Sequence, residues 1–431
     1  MGLSTRGLAW SVLSFTLWLA GCGGARLMMP TPTVHLDERR DYYSDLTPEL
    51  KSTEVRLLYV TDRALEQDED GKLHYGYGRS DSLAFGTAIV DLGADISWEE
   101  LVQASRTQSR LESIELELGR VEELIRSPPV PLPYALIEGE VVEEPKMVAL
   151  RAEAREALRG ALLEQLALTP RKELFIFVHG FHNTFEDAAF AMAELWHFLG
   201  RIGVPLVYTW PAGHPGLFGY TYDRESSEFT IYHLRHILRL LAGIPEVEKI
   251  HLIAHSRGTD VATSALRELT LRARAAGLDP RREFRIHNFV LAAPDLDVQV
   301  TEQRIIGDQL GASVQRFTIY TSPHDKALGA AKKLFRSPRG RMGTYDLEHV
   351  TDLTRTSMEY STSNFSIINF PGTGHRRIGA VGHAYFRDAP SVSSDLVLML
   401  RDDIDAGAPG RPLEHLGLKF WSIPPGYPPL E

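Results

Sequence analysis

The sequence predicts an α/β protein with a mostly parallel central sheet that is covered by helices on both faces. Two observations support this fold class. Between residues 173 and 325, short segments that are apolar along their whole length alternate with segments of helical periodicity. Such alternation is typical of buried parallel strands joined by helices. The chain of 431 residues is also long enough to bury a large core, in one big domain or two ordinary ones.

Each element follows from its local pattern. Strands are predicted where apolar and β-branched residues follow one another between turn signals, at 55–63, 82–92, 173–180, 204–210, 249–255, 284–295 and 315–325. Helices are predicted where the pattern has helical periodicity, at 147–168, 186–199, 225–241, 257–275 and 391–400. Functional groups of such a sheet collect outside the carboxyl ends of its strands.

The segment 97–126 is also predicted to be helical. Its apolar residues recur every three or four positions, at Leu111, Ile114, Leu118, Val121 and Ile125. The following sequence SPPVPLPY ends that helix, because proline does not continue it. We therefore predict a helical insertion over about 97–145, which packs on the main body or forms part of a lid.

The N-terminus carries a targeting signal. Arg6 precedes an apolar stretch at 8–20, which is too short to span a bilayer but typical of a signal peptide. Its ending, LAGC, resembles the lipobox of bacterial lipoproteins, which implies a signal peptide of residues 1–21 and lipidation of Cys22. By the same resemblance, Gly23 after the cysteine implies sorting to the outer membrane. We expect a lipid-anchored protein of the bacterial cell envelope that faces the periplasm.

Composition argues against two other classes of function. The formal net charge is −11 and no basic stripe is evident, so we expect no nucleic-acid partner. The 16 histidines are scattered, and the single cysteine cannot form a CxxC pair. No HExxH helix is present either, so we expect no metal site.

The sequence KIHLIAHSRG places Ser256 where an apolar strand meets a helix. A residue in such a tight turn crowds its neighbours, so the positions two before and two after must be small. Ala254 and Gly258 meet that need. The helix that follows directs free N–H groups at the serine, so the N–H of Arg257 can donate to an oxyanion. The Arg257 side chain can also meet an anionic leaving group.

The pentapeptide AHSRG resembles the G-x-S-x-G nucleophile elbow of the alpha/beta-hydrolase fold, with alanine in the first position. The chain from about 55 to 405 further resembles a bacterial alpha/beta-hydrolase family whose substrates are largely unassigned. The matching segments are YVTDR, FVHGFHNTFEDA, YTWPAG, YDRES, AHSRG, LAAPDLD, YTSPHDKAL and GHAYF. The resemblance implies that the N–H of Phe181, after the His-Gly pair, is a second oxyanion donor. It also implies a triad in the chain order Ser, acid, His.

Several residues fit the last two triad positions. Asp295, Asp297 and Asp325 follow strands, and the downstream histidines are His349, His375 and His383. We choose Asp325 because it follows the strand after the one ending at Asp295, where this fold usually has its acid. We choose His383 because it precedes the helix at 391–400, the usual place of the base. His375, in the glycine-rich sequence PGTGH, is the competitor.

These residues predict a serine hydrolase that cleaves a small-molecule or lipid ester and needs no cofactor. We assign His179, Trp210 and Tyr220 to the substrate pocket, with Phe181 and Phe218 beside them. We expect residues 22–52 to be a tether, 53–405 the catalytic domain and 406–431 a C-terminal tail. Two alternatives are a peptidase or amidase of the same fold, and a non-catalytic envelope lipoprotein that uses the fold for binding or structure.

Overall fold

A computed structural model describes residues 26–67, 73–215, 219–360, 364–372 and 381–430. The predicted signal peptide, Cys22, Phe218 and His375 lie outside these ranges. The predicted fold class is confirmed, because a large and mostly parallel sheet carries helices on both faces. Among the described residues, no helix is both long and apolar enough to cross a membrane.

The strands that the structure describes are β1 (Arg26–Leu27), β2 (Glu54–Gln67), β3 (Leu73–Leu92), β4 (Glu115–Arg126), β5 (Tyr134–Ile137), β6 (Glu140–Glu143), β7 (Glu173–Val178), β8 (Val204–Thr209), β9 (Lys249–His255), β10 (Ile286–Ala292), β11 (Arg316–Thr321), β12 (Phe365–Asn369), β13 (Glu414–Gly417) and β14 (Phe420–Ser422). All except β5 and β6 form one sheet in the order β1-β4-β3-β2-β8-β7-β9-β10-β11-β12-β14-β13. In this spatial order, the strands β2, β8, β7, β9, β10, β11, β12 and β14 are parallel to their neighbours in the series. The pairs β1–β4, β4–β3 and β3–β2 at one end and β14–β13 at the other end are antiparallel.

The α-helices in the same part of the chain are α1 (Trp98–Ala104), α2 (Pro145–Ala167), α3 (Phe185–Phe198), α4 (Gly219–Ala242), α5 (Gly258–Ala275), α6 (Pro280–Phe284), α7 (Val298–Thr301), α8 (Lys326–Phe335), α9 (Asp352–Glu359), α10 (Tyr385–Asp388) and α11 (Pro390–Leu400). Short single-turn helices span Thr33–Leu36, Pro48–Leu50, Glu302–Gly307, Leu310–Ser313, Met342–Thr344 and Leu347–His349.

The central strands divide their side chains between two cores. In β7, Leu174, Ile176 and Val178 pack on one face with α2, α4 and α5. Phe175 and Phe177 pack on the opposite face with α3 and α11. Successive strand residues point to opposite faces, so burial of both faces requires the continuous apolar sequence seen here.

The sheet order reverses direction at β7. The chain passes from β7 to β8 on one side, and then returns to β9 on the other side. A crevice opens outside the carboxyl ends of strands at such a switch point. The segment after β7 and the segment after β9 therefore meet at one edge of the sheet.

The predicted helical insertion is wrong over most of its length. Only α1 is helical between residues 97 and 144; β4 joins the sheet beside β3, and β5 and β6 form a separate hairpin. Leu118 and Val121 of β4 pair with Val90 and Ala88 of β3, so β4 contains one extra residue there. A second irregularity precedes Ile125. The first bulge creates the spacing of three between Leu118 and Val121, and Leu118 and Ile125 pack on opposite faces of the sheet. The helical spacing in the sequence therefore did not mark one apolar face.

The predicted tether is also wrong from residue 26 onward. Met28, Met29 and Tyr43 are buried in the core on the α3 face. Arg26 forms an ion pair with the buried Glu194 of α3 at 3.4 Å. This segment is polar in composition, but its few large apolar side chains have a surface to pack against, and they fix it to the domain.

The C-terminal segment is part of the sheet rather than a tail. Its strand β14 pairs in parallel with β12, and β13 pairs with β14. Arg411 forms a buried ion pair with Asp395 of α11 at 2.7 Å, and the hydroxyl of Tyr427 donates to the same carboxylate. The order of elements in the sequence did not predict that a strand after α11 would pair with the free edge of β12.

Candidate active site

The turn after β9 holds Ser256 in a left-handed conformation, with φ of 53°. A β-carbon at Gly258 would lie 2.2 Å from the carbonyl oxygen of His179, and one at Gly180 would lie 2.6 Å from the Ser256 β-carbon. Only glycine fits at these two positions, because ordinary side chains would collide with backbone or with the serine itself. Ala254 is fully buried beneath the turn, so its methyl group is accommodated.

The structure brings Ser256, His383 and Asp325 within hydrogen-bonding distance of one another. The His383 Nε2 atom lies 2.7 Å from the Ser256 Oγ atom, and its Nδ1 atom lies 2.6 Å from the Asp325 Oδ2 atom. An ionised carboxylate can only accept, so Nδ1 carries the hydrogen and Nε2 accepts the serine hydroxyl. This is the tautomer that can remove a proton from the serine.

Asp325 is positioned by the helix that it begins. Its Oδ1 atom accepts the backbone N–H of Leu328 at 3.0 Å, and thereby caps α8. The residue is only 2% exposed, and Oδ2 remains to accept from His383. One carboxylate therefore fixes both the start of the helix and the orientation of the imidazole.

Burial lowers the pKa of His383, but the charge of Asp325 and its hydrogen bond outweigh that effect, with a smaller contribution from the charge of Asp295. The pKa of His383 is therefore raised above its ordinary value. A raised pKa makes the imidazole a stronger base, and its protonated form is stabilised when it accepts a proton. Burial lowers the pKa of the adjacent His255 to about 3, so that ring stays neutral.

Asp295 has other partners. Its Oδ1 atom accepts from Nε of Arg341 at 2.7 Å, and its Oδ2 atom accepts the hydroxyl of Tyr220 at 2.9 Å. Both oxygens of this carboxylate are thus engaged away from His383. Its negative charge still acts on His383 through space.

The remaining candidates from the sequence lie elsewhere or outside the described residues. Asp297 caps α7 by accepting the N–H groups of the first turn. His349 is exposed and lies 2.6 Å from Asp346, in a pair that includes no serine. His375 falls outside the described residues. Of the histidines that the structure does describe, His383 is hydrogen-bonded to Ser256.

The two predicted oxyanion donors lie on either side of the serine corner. Within the described part of the chain, the N–H groups of Phe181 and Arg257 have no hydrogen-bond acceptor. The neighbouring N–H groups are engaged, since Gly180 donates to Asn183 and His182 donates to the Asp223 carboxylate at 3.0 Å. Two free donors beside a nucleophile can bind the negative oxygen of a tetrahedral intermediate.

The predicted pocket residues divide into two groups. His179 and Trp210 are both 0% exposed, so their assignment to the substrate pocket is wrong. Their rings stack at 5.1 Å, and Trp210 donates two hydrogen bonds to His179, from its backbone N–H to Nε2 and from its indole N–H to the carbonyl oxygen, both at 2.9 Å. They support from below the loop at 179–184, called the oxyanion loop here because it carries the predicted donor Phe181. Tyr220 instead lines a cavity and packs 4.9 Å from the ring of Phe181.

Sequence reasoning missed the role of Arg63, which is buried beneath the same loop. Its guanidinium donates to the carbonyl oxygens of Asn183 and Ala212 at 2.7 and 2.8 Å, and to the hydroxyl of Thr209 at 2.8 Å. A further contact reaches Nε2 of His179 at 3.3 Å. Burial lowers the pKa of Arg63 to about 10, which leaves it charged at neutral pH. Its position in the family-like segment YVTDR was the signal that could have identified it.

Asp223 holds the other side of the loop. Its buried carboxylate accepts the N–H groups of His182 at 3.0 Å, Gly213 at 3.1 Å and His214 at 3.4 Å. Arg63 and Asp223 together tie the loop after β7 to the loop after β8. The segment YDRES contains Asp223, but its sequence alone does not tell which N–H groups the carboxylate accepts.

The Arg257 side chain turns away from the serine. It contacts the Asp260 carboxylate at 2.7 Å and the hydroxyl of Ser227 at 3.2 Å. A guanidinium that already has a buried carboxylate partner offers little to a leaving group. The expected contact of this side chain with an anionic leaving group is therefore not favoured, and the backbone N–H of Arg257 stays the predicted oxyanion donor.

Solved structures offer only distant similarities. A Pyrobaculum calidifontis esterase is 11% identical, with 55% of this chain and 78% of that chain covered and a TM-score of 0.29. AbyA5 wild type is 15% identical, with 61% and 75% covered and a TM-score of 0.27. A Pyrococcus horikoshii acylaminoacyl peptidase is 11% identical, with 78% and 57% covered and a TM-score of 0.30. Similarities this weak carry no argument, and no curated protein matches the chain in sequence.

The family match is much stronger. The family described as alpha/beta hydrolase of unknown function (DUF900) matches residues 154–401, which is more than half of the chain. The matched range includes β7 to β12, the serine corner, Asp325 and His383. The chain therefore belongs to this family of alpha/beta hydrolases.

Proposed function

We propose that this hydrolase cleaves carboxylic esters through an acyl-enzyme on Ser256. The observation that supports the proposal most is the hydrogen-bonded series from the Ser256 hydroxyl through His383 to Asp325, at 2.7 and 2.6 Å. In this proposal His383 is the general base and then the general acid. Asp325 orients the imidazole and stabilises its charged form.

In the first half of the reaction, the Ser256 oxygen attacks the ester carbonyl carbon while His383 Nε2 takes the hydroxyl proton. The carbonyl oxygen becomes negative and accepts hydrogen bonds from the N–H groups of Phe181 and Arg257. Each donor of this kind contributes about 2.7–4 kcal/mol to barrier lowering. When the tetrahedral intermediate collapses, the alcohol leaves with the proton from His383, and the acyl group remains on the serine.

In the second half, water replaces the alcohol. His383 removes a proton from the water as its oxygen attacks the acyl-enzyme carbonyl, and the same two N–H groups stabilise the new oxyanion. Collapse then breaks the bond to Ser256, which recovers its proton from the imidazole. The products are a carboxylic acid and the original enzyme, and no step needs a cofactor.

A fluorophosphonate probe tests the proposed nucleophile. We expect the folded full chain to be labelled at Ser256, because the probe reacts with a serine only when a base activates it. Mass spectrometry of the tryptic peptides locates the label, and a heat-denatured sample is the control. If folded protein carries no label, the chain uses this fold for binding or structure, and the proposal fails.

The bond that is cleaved needs a separate measurement. A p-nitrophenyl ester and the matched p-nitroanilide share an acyl group and differ in the leaving atom. We expect faster hydrolysis of the ester at every acyl chain length. A labelled serine combined with faster anilide hydrolysis would instead identify a peptidase or amidase, because the same residues serve both reactions.

We also propose that Cys22 anchors the protein to the outer membrane through attached lipid. The support is the LAGC sequence that ends the apolar stretch at 8–20. In a bacterial host we expect the wild-type protein in the membrane fraction and the Cys22→Ala variant outside it, because several acyl chains are needed for stable anchoring. A Cys22→Ala protein that stays wholly in the membrane fraction would contradict the anchor.

A further inference from the structure

A cavity of about 300 Å³ lies beside the serine corner. Arg257, the residue after the nucleophile, forms part of its wall. Tyr220 forms another part, and its ring lies 4.9 Å from Phe181 on one side and 5.1 Å from Phe335 on the other. This aromatic row leads from the oxyanion loop into the cavity, where Leu296 adds an apolar surface.

Four arginines from separate segments of the chain line the cavity, and three of them have carboxylate partners. Arg257 and Arg304 both contact Asp260, at 2.7 and 2.8 Å. Arg341 contacts Asp295, with Nε at 2.7 Å from Oδ1. The three guanidinium groups thus share two buried acids, Asp260 and Asp295, and each group contacts one of these carboxylates.

Arg224 differs from the other three. Within the residues that the structure describes, its guanidinium forms no ion pair, and the side chain is exposed at the cavity wall. It lies 5.6 Å from the centre of the Phe335 ring, and the Arg341 guanidinium lies 5.4 Å from the same ring centre. A planar guanidinium that rests on an aromatic ring keeps its N–H groups free for two parallel hydrogen bonds to a carboxylate.

Two further acids face the cavity and limit what can bind. Asp297 accepts the N–H groups of Gln299 and Val300, at 2.9 and 3.3 Å, and Glu228 lies 3.9 Å from Arg257 with a largely exposed side chain. A doubly charged ligand such as a phosphate monoester would meet their repulsion, and among the described lining arginines Arg224 is the one without an ion pair. A ligand with a single negative charge on an otherwise apolar group would meet less of this repulsion.

We propose that this cavity binds a carboxylate group on the ester substrate, with Arg224 as its cationic partner. Tyr220 and Phe335 then contact an apolar or aromatic part of the same molecule. This assignment rests on the proposed ester hydrolysis at Ser256, and it narrows the substrate class to esters that carry one carboxylate.

Binding of phenylacetate and of its neutral analogue phenylacetamide tests the cavity without catalysis. Calorimetry on the full chain with Ser256→Ala is expected to give roughly tenfold or greater preference for the acid, because a charge-assisted hydrogen bond is lost with the amide. Adding Arg224→Gln is expected to remove that preference. Arg239→Gln, an exposed arginine on the same helix α4, is the matched control and is expected to keep it. Equal affinity for the two ligands, or a preserved preference in Arg224→Gln, overturns the proposal.

Inhibition kinetics then test whether the cavity is continuous with the reaction site. Phenylacetate is expected to inhibit hydrolysis of p-nitrophenyl butyrate competitively in the wild-type chain, with an inhibition constant raised roughly tenfold or more by Arg224→Gln. Non-competitive inhibition, or none, overturns the substrate assignment. Absence of probe labelling at Ser256 overturns ester hydrolysis itself and leaves the calorimetric result untouched, so the two failures are distinguishable.

Discussion

The Ser256→Ala variant should lose p-nitrophenyl butyrate hydrolysis by about 10⁴-fold or more in kcat. The methyl group offers no oxygen to attack the carbonyl, and the acyl-enzyme cannot form. The fold should be unaffected, because the Ser256 hydroxyl contacts only His383 among the described residues, and the backbone N–H that bonds Ala292 remains. Stopped-flow and steady-state assays over several acyl chain lengths give the measurement.

A matched control separates the nucleophile from a general effect of removing a hydroxyl group. Ser44 is exposed and donates to a neighbouring aspartate on the surface. The Ser44→Ala variant should keep wild-type kcat and thermal stability. If Ser256→Ala retains most of its activity while the control behaves as expected, another residue is the nucleophile.

The Asp325→Asn variant should lose about 10⁴-fold in kcat while it stays folded. Asparagine caps a helix about as well as aspartate, so the bond from the Leu328 N–H to the side chain can persist. Its amide, however, can present an N–H to His383 Nδ1, which favours the tautomer with the hydrogen on Nε2. That tautomer cannot accept the Ser256 proton, and the imidazolium also loses its negative partner.

Asp346→Asn is the control for this substitution. Asp346 also begins a short helix and also lies 2.6 Å from a histidine Nδ1 atom, that of His349, but the pair is exposed. Its activity should match the wild type. A loss of melting temperature in Asp325→Asn large enough to unfold the protein at assay temperature would mean that the carboxylate acts through stability, contrary to the prediction.

The pH profile gives a second measurement on the same variant. Activity requires neutral His383, so kcat/KM should fall as pH is lowered through its pKa, which Asp325 and Asp295 hold above the ordinary value against the effect of burial. Removing the Asp325 charge removes the largest raising contribution, and burial then lowers the pKa. The acidic limb of residual activity should therefore move to lower pH in Asp325→Asn. An unmoved limb, or one moved to higher pH, would contradict the role of Asp325.

Local sequence patterns determined the central part of the fold. Segments that are apolar along their whole length predicted β7 to β11, and helical spacing predicted α2, α3, α5 and α11, within a few residues. Helix α4 was also predicted, but it begins at Gly219 rather than at about 225. The serine corner was also predictable, because the left-handed turn requires small neighbours at fixed positions. These features depend on residues that are close in sequence, so one chain was enough to identify them.

The acid and the histidine of the predicted triad could not be identified from local sequence patterns alone. Three aspartates and three histidines fitted the triad order, and the structure brings Asp325 and His383 to Ser256. Their catalytic role stays a prediction until the variants are measured. The choice depends on where loops after different strands meet at one sheet edge, which is a property of the strand order.

Tertiary structure alone determined the elements at the two ends of the sheet and the residues that support the oxyanion loop. The apolar spacing of β4 resembled a helix, although the strand contains bulges and its apolar residues pack on both faces of the sheet. The segments at 26–52 and 406–430 pack on a domain whose surface their own sequences do not describe. Trp210 is buried in the core beneath the oxyanion loop. In each case the outcome depends on a partner distant in the chain: an open strand edge, an apolar face or a set of carbonyl groups around Arg63. Such partners exist only once the chain has folded, so the sequence determined the strands, the helices and the nucleophile turn, while long-range packing determined what surrounds them.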